Sequence, residues 1–386
     1  MAPSRSQIRS RPLIERLWRR PLPLHWRPVW AALVAAATVY SGIVKLRERW
    51  WRTRSARIGV PLISVGNLTV GGNGKTPFTL FLASRLIARG FAVAIVSRGW
   101  GRSNGRSNPL LVSDGSGPLC TPRAAGDEPV MMARSFRGPI AVARRRIDAI
   151  KLLCAHHPLD TLILDDGFQH LRLHRDLNLL LVNAARGFGN GWVLPAGPLR
   201  EERTAMTRAD AIIVIDSRAS PDFSQRDPTV SDLALPEEVP IFRARIRPRA
   251  LVHADAVGWL EGPLALSGRR VIAISGLADP SSFHAMLREL GATIVVAFEF
   301  SDHHDYTPQD FAKVLAAAAG ADLIVTTEKD LVKLELFPTP GVSLYALRLD
   351  VSMDSGDEER LLDLAAARIR TGVIAAASRA AGSASN

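Results

Sequence analysis

The stretch Ile63-Ser-Val-Gly-Asn-Leu-Thr-Val-Gly-Gly-Asn-Gly-Lys-Thr76 is a short apolar run that breaks into a glycine-rich loop closing on Gly74-Lys75-Thr76. A strand that feeds such a loop, which in turn opens a helix, is machinery for nucleotide phosphates. Glycines let backbone N–H groups turn inward on the anion, and the helix N-terminus adds partial positive charge. Lys75 supplies a point charge, and Thr76 offers a hydroxyl to Mg²⁺. The nucleotide-binding candidates are therefore Thr69, Val70, Gly71, Gly72, Asn73, Gly74, Lys75 and Thr76. The common spacing places glycine five residues before Gly74, where this chain has Thr69, so Gly71 and Gly72 supply the flexibility. A glycine-rich turn that binds nothing is the plainer reading. Against it, strand, loop, Gly-Lys-Thr and an amphipathic follower (Phe78, Phe81, Leu82, Leu86) occur together as the phosphate motif requires.

Outward from this loop, strands and helices alternate. Apolar runs at 62–65, 92–96, 140–143, 162–164, 177–182 and 211–215 are short and mostly β-branched or leucine-rich, and several are separated by helix-length segments such as 76–88 and 145–155. That rhythm predicts a parallel sheet covered on both faces. Residues 217–240 are polar and contain proline, and read as a connector. Beyond Ile241 alternation suggests a ribbon, and strand–helix alternation then restarts at 271–274, 281–290, 293–298, 309–319 and 323–326. The expected fold is α/β: a P-loop NTPase-like parallel sheet with helices on both faces, a smaller second α/β lobe, and an N-terminal membrane-associated helical segment. The corresponding units are 1–57, basic and tryptophan-rich; 58–216, the phosphate-loop core; 217–270, connector and ribbon; 271–350, the smaller lobe; and 351–386, a C-terminal helix and loose tail.

The 386 residues, 47% hydrophobic, suffice for two cores. Cys120 and Cys154 have no metal-ligand spacing, which argues against zinc or a disulfide framework and fits a reducing compartment. The net charge of +12 would raise nucleic acid as a partner, but its distribution decides otherwise. Of 49 Lys and Arg, thirteen lie in residues 1–57, leaving 36; of 37 Asp and Glu, two lie there, leaving 35. The body is electrically balanced. The basic segment also holds Trp18, Trp26, Trp30, Trp50 and Trp51 around an uncharged, alanine-rich run from Pro28 to Val44. Arginines, tryptophans and a modest apolar stretch describe an anchor on an anionic membrane surface. The run falls short of the ~20 apolar residues a span needs, which favours lying in the interface. A helix packed on the protein's own core accounts for the alanines but not for the tryptophans and arginines.

Four further loops carry chemistry. Asp165-Asp166-Gly167-Phe168-Gln169-His170 follows a buried strand, where P-loop enzymes hold Mg²⁺, and two adjacent acids exceed what an Asp-Gly turn requires. Gly126-Asp127-Glu128-Pro129 precedes a helix, which its acids could cap or serve catalytically. The Gly- and Pro-rich segment 189–201, ending in Arg200-Glu201, has the composition of a shaped binding loop. In the second lobe, Ser301-Asp302-His303-His304-Asp305-Tyr306 suits proton handling better than zinc, since adjacent histidines do not easily ligate one ion. The charges of Thr326-Thr327-Glu328-Lys329-Asp330 read as solvated.

Taken in order behind the basic N-terminus, GNLTVGGNGKTP, SRGWGR, AGDEP, DDGFQH, FGNGWVLPAGPLRE, SDHHDY and TTEKD resemble the tetraacyldisaccharide 4′-kinase family, from roughly residue 12 to residue 335. The departure at Thr69 is then the family's own variant. The resemblance implies a Gram-negative enzyme on the cytoplasmic face of the inner membrane. Such an enzyme transfers the γ-phosphate of ATP, with Mg²⁺, to the 4′-hydroxyl of an acylated disaccharide 1-phosphate lipid, with no nucleic acid and no obligate protein partner. It also implies that Lys75 and Thr76 bind phosphate and Mg²⁺, with Asp165 and Glu128 near the metal. Asp127 pairs with a second-lobe histidine to activate the sugar hydroxyl, and His303 fits that position better than His304. Asp166, Arg200 and Glu201 line the same cleft, with Gln169 and His170 on the substrate side. The alternative is a membrane-associated P-loop NTPase acting as a conformational switch, which would need no base in the far lobe.

Overall fold

The computed structural model describes Trp18 and residues 26–72, 74–102, 108–217, 233–254 and 266–383. Asn73, most of the segment before Trp26 and most of the 217–240 connector lie outside the described residues.

The first half builds on β1 (Leu62–Asn67), every residue of which is buried. It runs parallel to β5 (Thr161–Asp165) on one side and β6 (Leu177–Asn183) on the other, with β2 (Val93–Ser97) beyond β5. Strands buried on both faces are near-continuous apolar runs, which is why these segments were legible. Next to β2 lie β4 (Ile140–Val142) and the antiparallel edge strand β3 (Leu110–Ser113), while β7 (Ala211–Asp216) extends the sheet beyond β6. Alternate residues of β1 point to opposite faces. Ile63 and Val65 pack with Phe78 and Leu82 of α2 (Lys75–Ala88), Met132 of α4 (Asp127–Ser135) and Leu361 of α9 (Ser355–Ser383). Leu62 packs instead against Ile150 and Leu153 of α5 (Arg146–His156). A single turn, α3 (Pro122–Ala125), precedes α4.

The second half repeats the layering. β9 (Arg270–Ser275) pairs in parallel with β10 (Thr293–Glu299) and β11 (Leu323–Thr327). Its two faces are covered by α6 (Ser281–Glu289) and by α7 (Pro308–Ala317) with α8 (Glu328–Leu334). The halves are joined in one twelve-stranded sheet, ordered β10-β9-β11-β12-β8-β7-β6-β1-β5-β2-β4-β3. Its seam is the antiparallel pairing of β8 (Ile241–His253) with β12 (Ser343–Met353), two long strands whose register shifts at Arg348 and Leu349. Strand direction reverses there, and long twisted ribbons of this kind let the halves turn toward each other. The carboxyl-end loops of both halves line one cleft.

Two elements differ from the sequence reading. Helix α1 (Arg27–Arg52) has 26 residues, long and apolar enough to cross a membrane by length and composition. It is longer than the uncharged run because Lys45, Arg47, Glu48, Arg49 and Arg52 continue it. It also packs on the body: Ala37 is fully buried, Trp30 meets Trp192 edge-on, and Glu48 pairs with Arg208 at 2.9 Å. Val39, Ile43, Leu46 and Trp50 remain 57–66% exposed on the same helix. The C-terminal helix runs to Ser383, past the point where a loose tail was expected, because its alanines keep helical propensity high.

Candidate active site

The cleft has a volume of about 520 Å³ and is lined from the first half by Gly71, Gly72, Gly74, Lys75, Thr76, Glu128, Asp165, Asp166 and Arg200, and from the second by Asp302, His303 and Lys329. Gly74 caps α2 in a left-handed conformation (φ 70°) that favours glycine, and the tip of the Ile246 side chain of β8 packs over it. Lys75 Nζ bonds Asn67 Oδ1 at 3.2 Å and pairs with Asp166 Oδ1 at 3.1 Å. Of the phosphate-loop candidates, Thr69 and Val70 stand back from the cleft. The Thr69 carbonyl accepts from Asn67 Nδ2 (2.8 Å), and the Val70 N–H donates to Pro198 (2.8 Å).

Asp165 ends β5 in register with Val65 of β1, so topology alone sets its carboxylate beside the loop. Thr79 donates to it at 3.2 Å. Burial, then the Glu128 and Asp166 charges, push the Asp165 carboxyl well above the usual range, and burial raises Glu128 likewise. A buried carboxylate raised by a second one beside it has the character of a cation site. Among the described residues no three His, Cys, Asp or Glu surround one point. Two carboxylates and the Thr76 hydroxyl fit Mg²⁺, which keeps water and phosphate oxygens in much of its shell.

Asp166, at φ 50°, lines the same cleft. Burial would raise it, but Lys75 and Arg200 hold it ionised; Arg200 Nη1 lies 2.9 Å from both of its oxygens. Arg200 also reaches Gln169 Oε1 at 3.3 Å, and Gln169 Nε2 donates to the Asn67 carbonyl at 2.8 Å. Gln169 thus braces Arg200 and the loop. His170 and Glu201 do not line the cleft. Burial, with Arg146, Arg175 and Arg172 around it, depresses His170 to about 3. Glu201, 2% exposed, is held by Arg208 and lies 3.7 Å from Arg47 of α1.

The contact that spans the cleft is Asp127 with His303. His303 Nδ1 lies 3.0 and 3.1 Å from the two Asp127 oxygens. Asp127 sits in the first turn of α4, entered through Gly126, whose φ of 98° and contact with the Trp100 carbonyl exclude a side chain. Burial works against the Asp127 charge, but the His303 bond, Lys329 and Lys333 bring its pKa down to about 2. The same hydrogen bond raises His303. His304 points away, bonding Asp310 Oδ2 at 3.0 Å and stacking on Phe300.

The sequence and the fold recur in known proteins. Residues 29–367 match the family described as tetraacyldisaccharide-1-P 4′-kinase. The chain belongs to this kinase family. A tetraacyldisaccharide 4′-kinase of Geobacter sulfurreducens is 40% identical over 340 residues, covering 86% of this chain and 92% of that one. That of Geobacter metallireducens is 41% identical over 346 residues, covering 87% and 98%. Among solved structures, an "apo" form of LpxK from Aquifex aeolicus in complex with ATP superposes with a TM-score of 0.71 at 30% identity, covering 88% of this chain and 99% of that chain.

In this kinase-family chain the segment 326–330 is not solvated. Asp330 is fully buried and accepts from the Gly276 N–H at 2.8 Å, and burial pushes Glu328 up to about 7. Lys329 reaches Asp302 at 2.5 Å, and Lys333 bonds Asp127 Oδ2 at 3.2 Å. Nothing local in the sequence separates these lysines from surface ones; tertiary placement alone does so.

Proposed function

We propose that this enzyme transfers the γ-phosphate of ATP to the 4′-hydroxyl of tetraacyldisaccharide 1-phosphate, the lipid A precursor, at the cytoplasmic face of a bacterial inner membrane. The observation that carries the reading is the Asp127–His303 pair, built from both halves and facing the Lys75 loop across one cleft. An NTPase that only hydrolyses nucleotide has no use for a histidine delivered from the far lobe, whereas a sugar hydroxyl is a poor nucleophile that gains from a base.

Phosphoryl transfer needs positioning and charge neutralisation above all. The loop amides and Lys75 would bind the β- and γ-phosphates. Asp165, Glu128 and Thr76 would hold Mg²⁺, which when bound neutralises phosphate charge. Asp127 holds Nδ1–H of His303, leaving Nε2 to take the hydroxyl proton. Asp166 and Arg200 shape the floor, and Arg200 is tied to α1 because Tyr40 Oη donates to its carbonyl at 3.0 Å. The outward apolar face of α1, with the basic residues at its end, supports attachment to an anionic membrane surface. An acceptor with four acyl chains does not leave the bilayer, at about 0.8 kcal/mol per exposed CH₂, so the enzyme goes to it.

The test is transfer of label from γ-labelled ATP with Mg²⁺ to the acceptor in detergent micelles, beside a control without acceptor and Lys75→Ala. Labelled lipid that requires both acceptor and intact protein is the expected result. Free phosphate released equally with and without lipid would replace this reading by the NTPase switch.

A further inference from the structure

Lys329 and Lys333 lie one turn apart on α8 and approach the Asp127–His303 pair from different sides. Lys333 braces it from behind, donating to Asp127 Oδ2 at 3.2 Å and to the His304 carbonyl at 2.9 Å. Lys329 stands in front. Its Nζ is 3.4 Å from His303 Nε2 and 2.5 Å from Asp302 Oδ1, its side chain is 12% exposed, and it lines the cleft with Gly72, Lys75 and Thr76. With Nδ1 donating to Asp127, Nε2 carries the ring's lone pair, so the ammonium is aimed at the atom that would accept the hydroxyl proton. A hydroxyl seated on Nε2 would have Nζ as its neighbour.

Burial works against the Lys329 charge, but Glu128, Asp302 and Asp127 around it hold the ammonium charged at the cavity wall. The other Lys and Arg side chains that line the cleft, Lys75, Arg98, Arg146, Arg186 and Arg200, all come from the first half, so among the described residues Lys329 is the cation that the second half supplies. We propose that Lys329 is a second catalytic cation, which contacts the transferring phosphoryl group from the second lobe while Lys75 contacts it from the phosphate loop.

The inference rests on the kinase reading above. In the transfer step the acceptor oxygen bonds to the γ-phosphorus as the bond from that phosphorus to the β–γ bridging oxygen breaks. The hydroxyl proton passes to His303 Nε2, and the electron pair of the broken bond leaves with ADP. Negative charge spreads over the three equatorial oxygens, where a positioned cation is worth most. Lys329 yields Nε2 to the incoming hydroxyl and turns to these oxygens, steered by Asp302. Because it arrives with the second lobe, nucleotide bound to the loop alone lacks it, which restrains hydrolysis.

The experiment compares Lys329→Ala, Lys329→Met and Lys329→Arg with wild type in steady-state label transfer, with thermal melting as the fold control. Turnover of Lys329→Met and Lys329→Ala should fall about 10²- to 10³-fold, the loss typical of one transition-state donor, with both KM values within about threefold of wild type. Lys329→Arg should be faster than Lys329→Met, and added methylamine should accelerate Lys329→Ala but not wild type. Lys329→Met keeps the buried stem and decides the matter if Lys329→Ala unfolds. Wild-type turnover in Lys329→Met, or a loss confined to KM, or no gain from either arginine or methylamine, overturns the inference while labelled lipid from wild type leaves the kinase intact. Wild type that labels no lipid removes both.

Discussion

His303 and His304 are chain neighbours with opposite surroundings, and the difference is measurable. His303 faces the cleft on Asp127, whereas His304 closes the start of α7 through Asp310. His303→Ala should lower turnover by about 10²- to 10⁴-fold, the range for a general base. His304→Ala should cost about 1 kcal/mol of stability, read as a lower melting temperature, with turnover little changed. The base must be neutral to act, so activity should rise with pH through the His303 pKa, which Asp127 holds above the ordinary value of about 6.5. In Asp127→Asn that acid limb should move to lower pH; an unmoved limb would separate Asp127 from the titration. His170 gives a stability prediction of defined sign. Its folded-state pKa is depressed to about 3, so it favours folding while neutral, and that contribution is lost as pH falls from about 6.5 toward 3. Denaturation at pH 7 and pH 5 should show a smaller decline for His170→Gln than for wild type. Asp127 and His303 were legible because each stands in a short, chemically marked loop. Lys329 and Lys333 were not, because a helix-borne lysine looks alike in water and against a buried carboxylate.

Among elements, α1 serves two surfaces. Its inner face buries Ala37 and meets Trp192 through Trp30, and its outer face presents Val39, Ile43, Leu46 and Trp50. Ile43→Asp with Leu46→Asp should weaken sedimentation with anionic vesicles and leave the melting temperature unchanged, because neither side chain packs on the body. Ala37→Leu should do the reverse, costing about 1–3 kcal/mol by overpacking without altering vesicle binding. Exchanged outcomes would mean the faces are misassigned. Composition revealed an apolar helix with arginines and tryptophans, but composition alone does not say which of its sides docks on the body. The central strands, by contrast, lay within one or two residues of their apolar runs, since burial on both faces leaves little room for polar residues.

At the scale of the whole molecule, the cleft exists because two α/β halves share one sheet through β8 and β12. That continuity was not legible. β8 pairs with a strand about a hundred residues later, and alternation in either strand names no partner. Between the two halves run ion pairs of Arg186 with Asp279, Arg134 with Glu335, and Asp127 with both His303 and Lys333. If these assemble one catalytic unit from two halves, Asp127 and His303 have no independent contributions. The measurement that tests this is label transfer by Asp127→Asn, His303→Ala and the double variant at saturating ATP and lipid. The double variant should be no slower than the slower single variant, within about threefold. Losses that multiply in the double variant would contradict the account, because the two residues would then act separately.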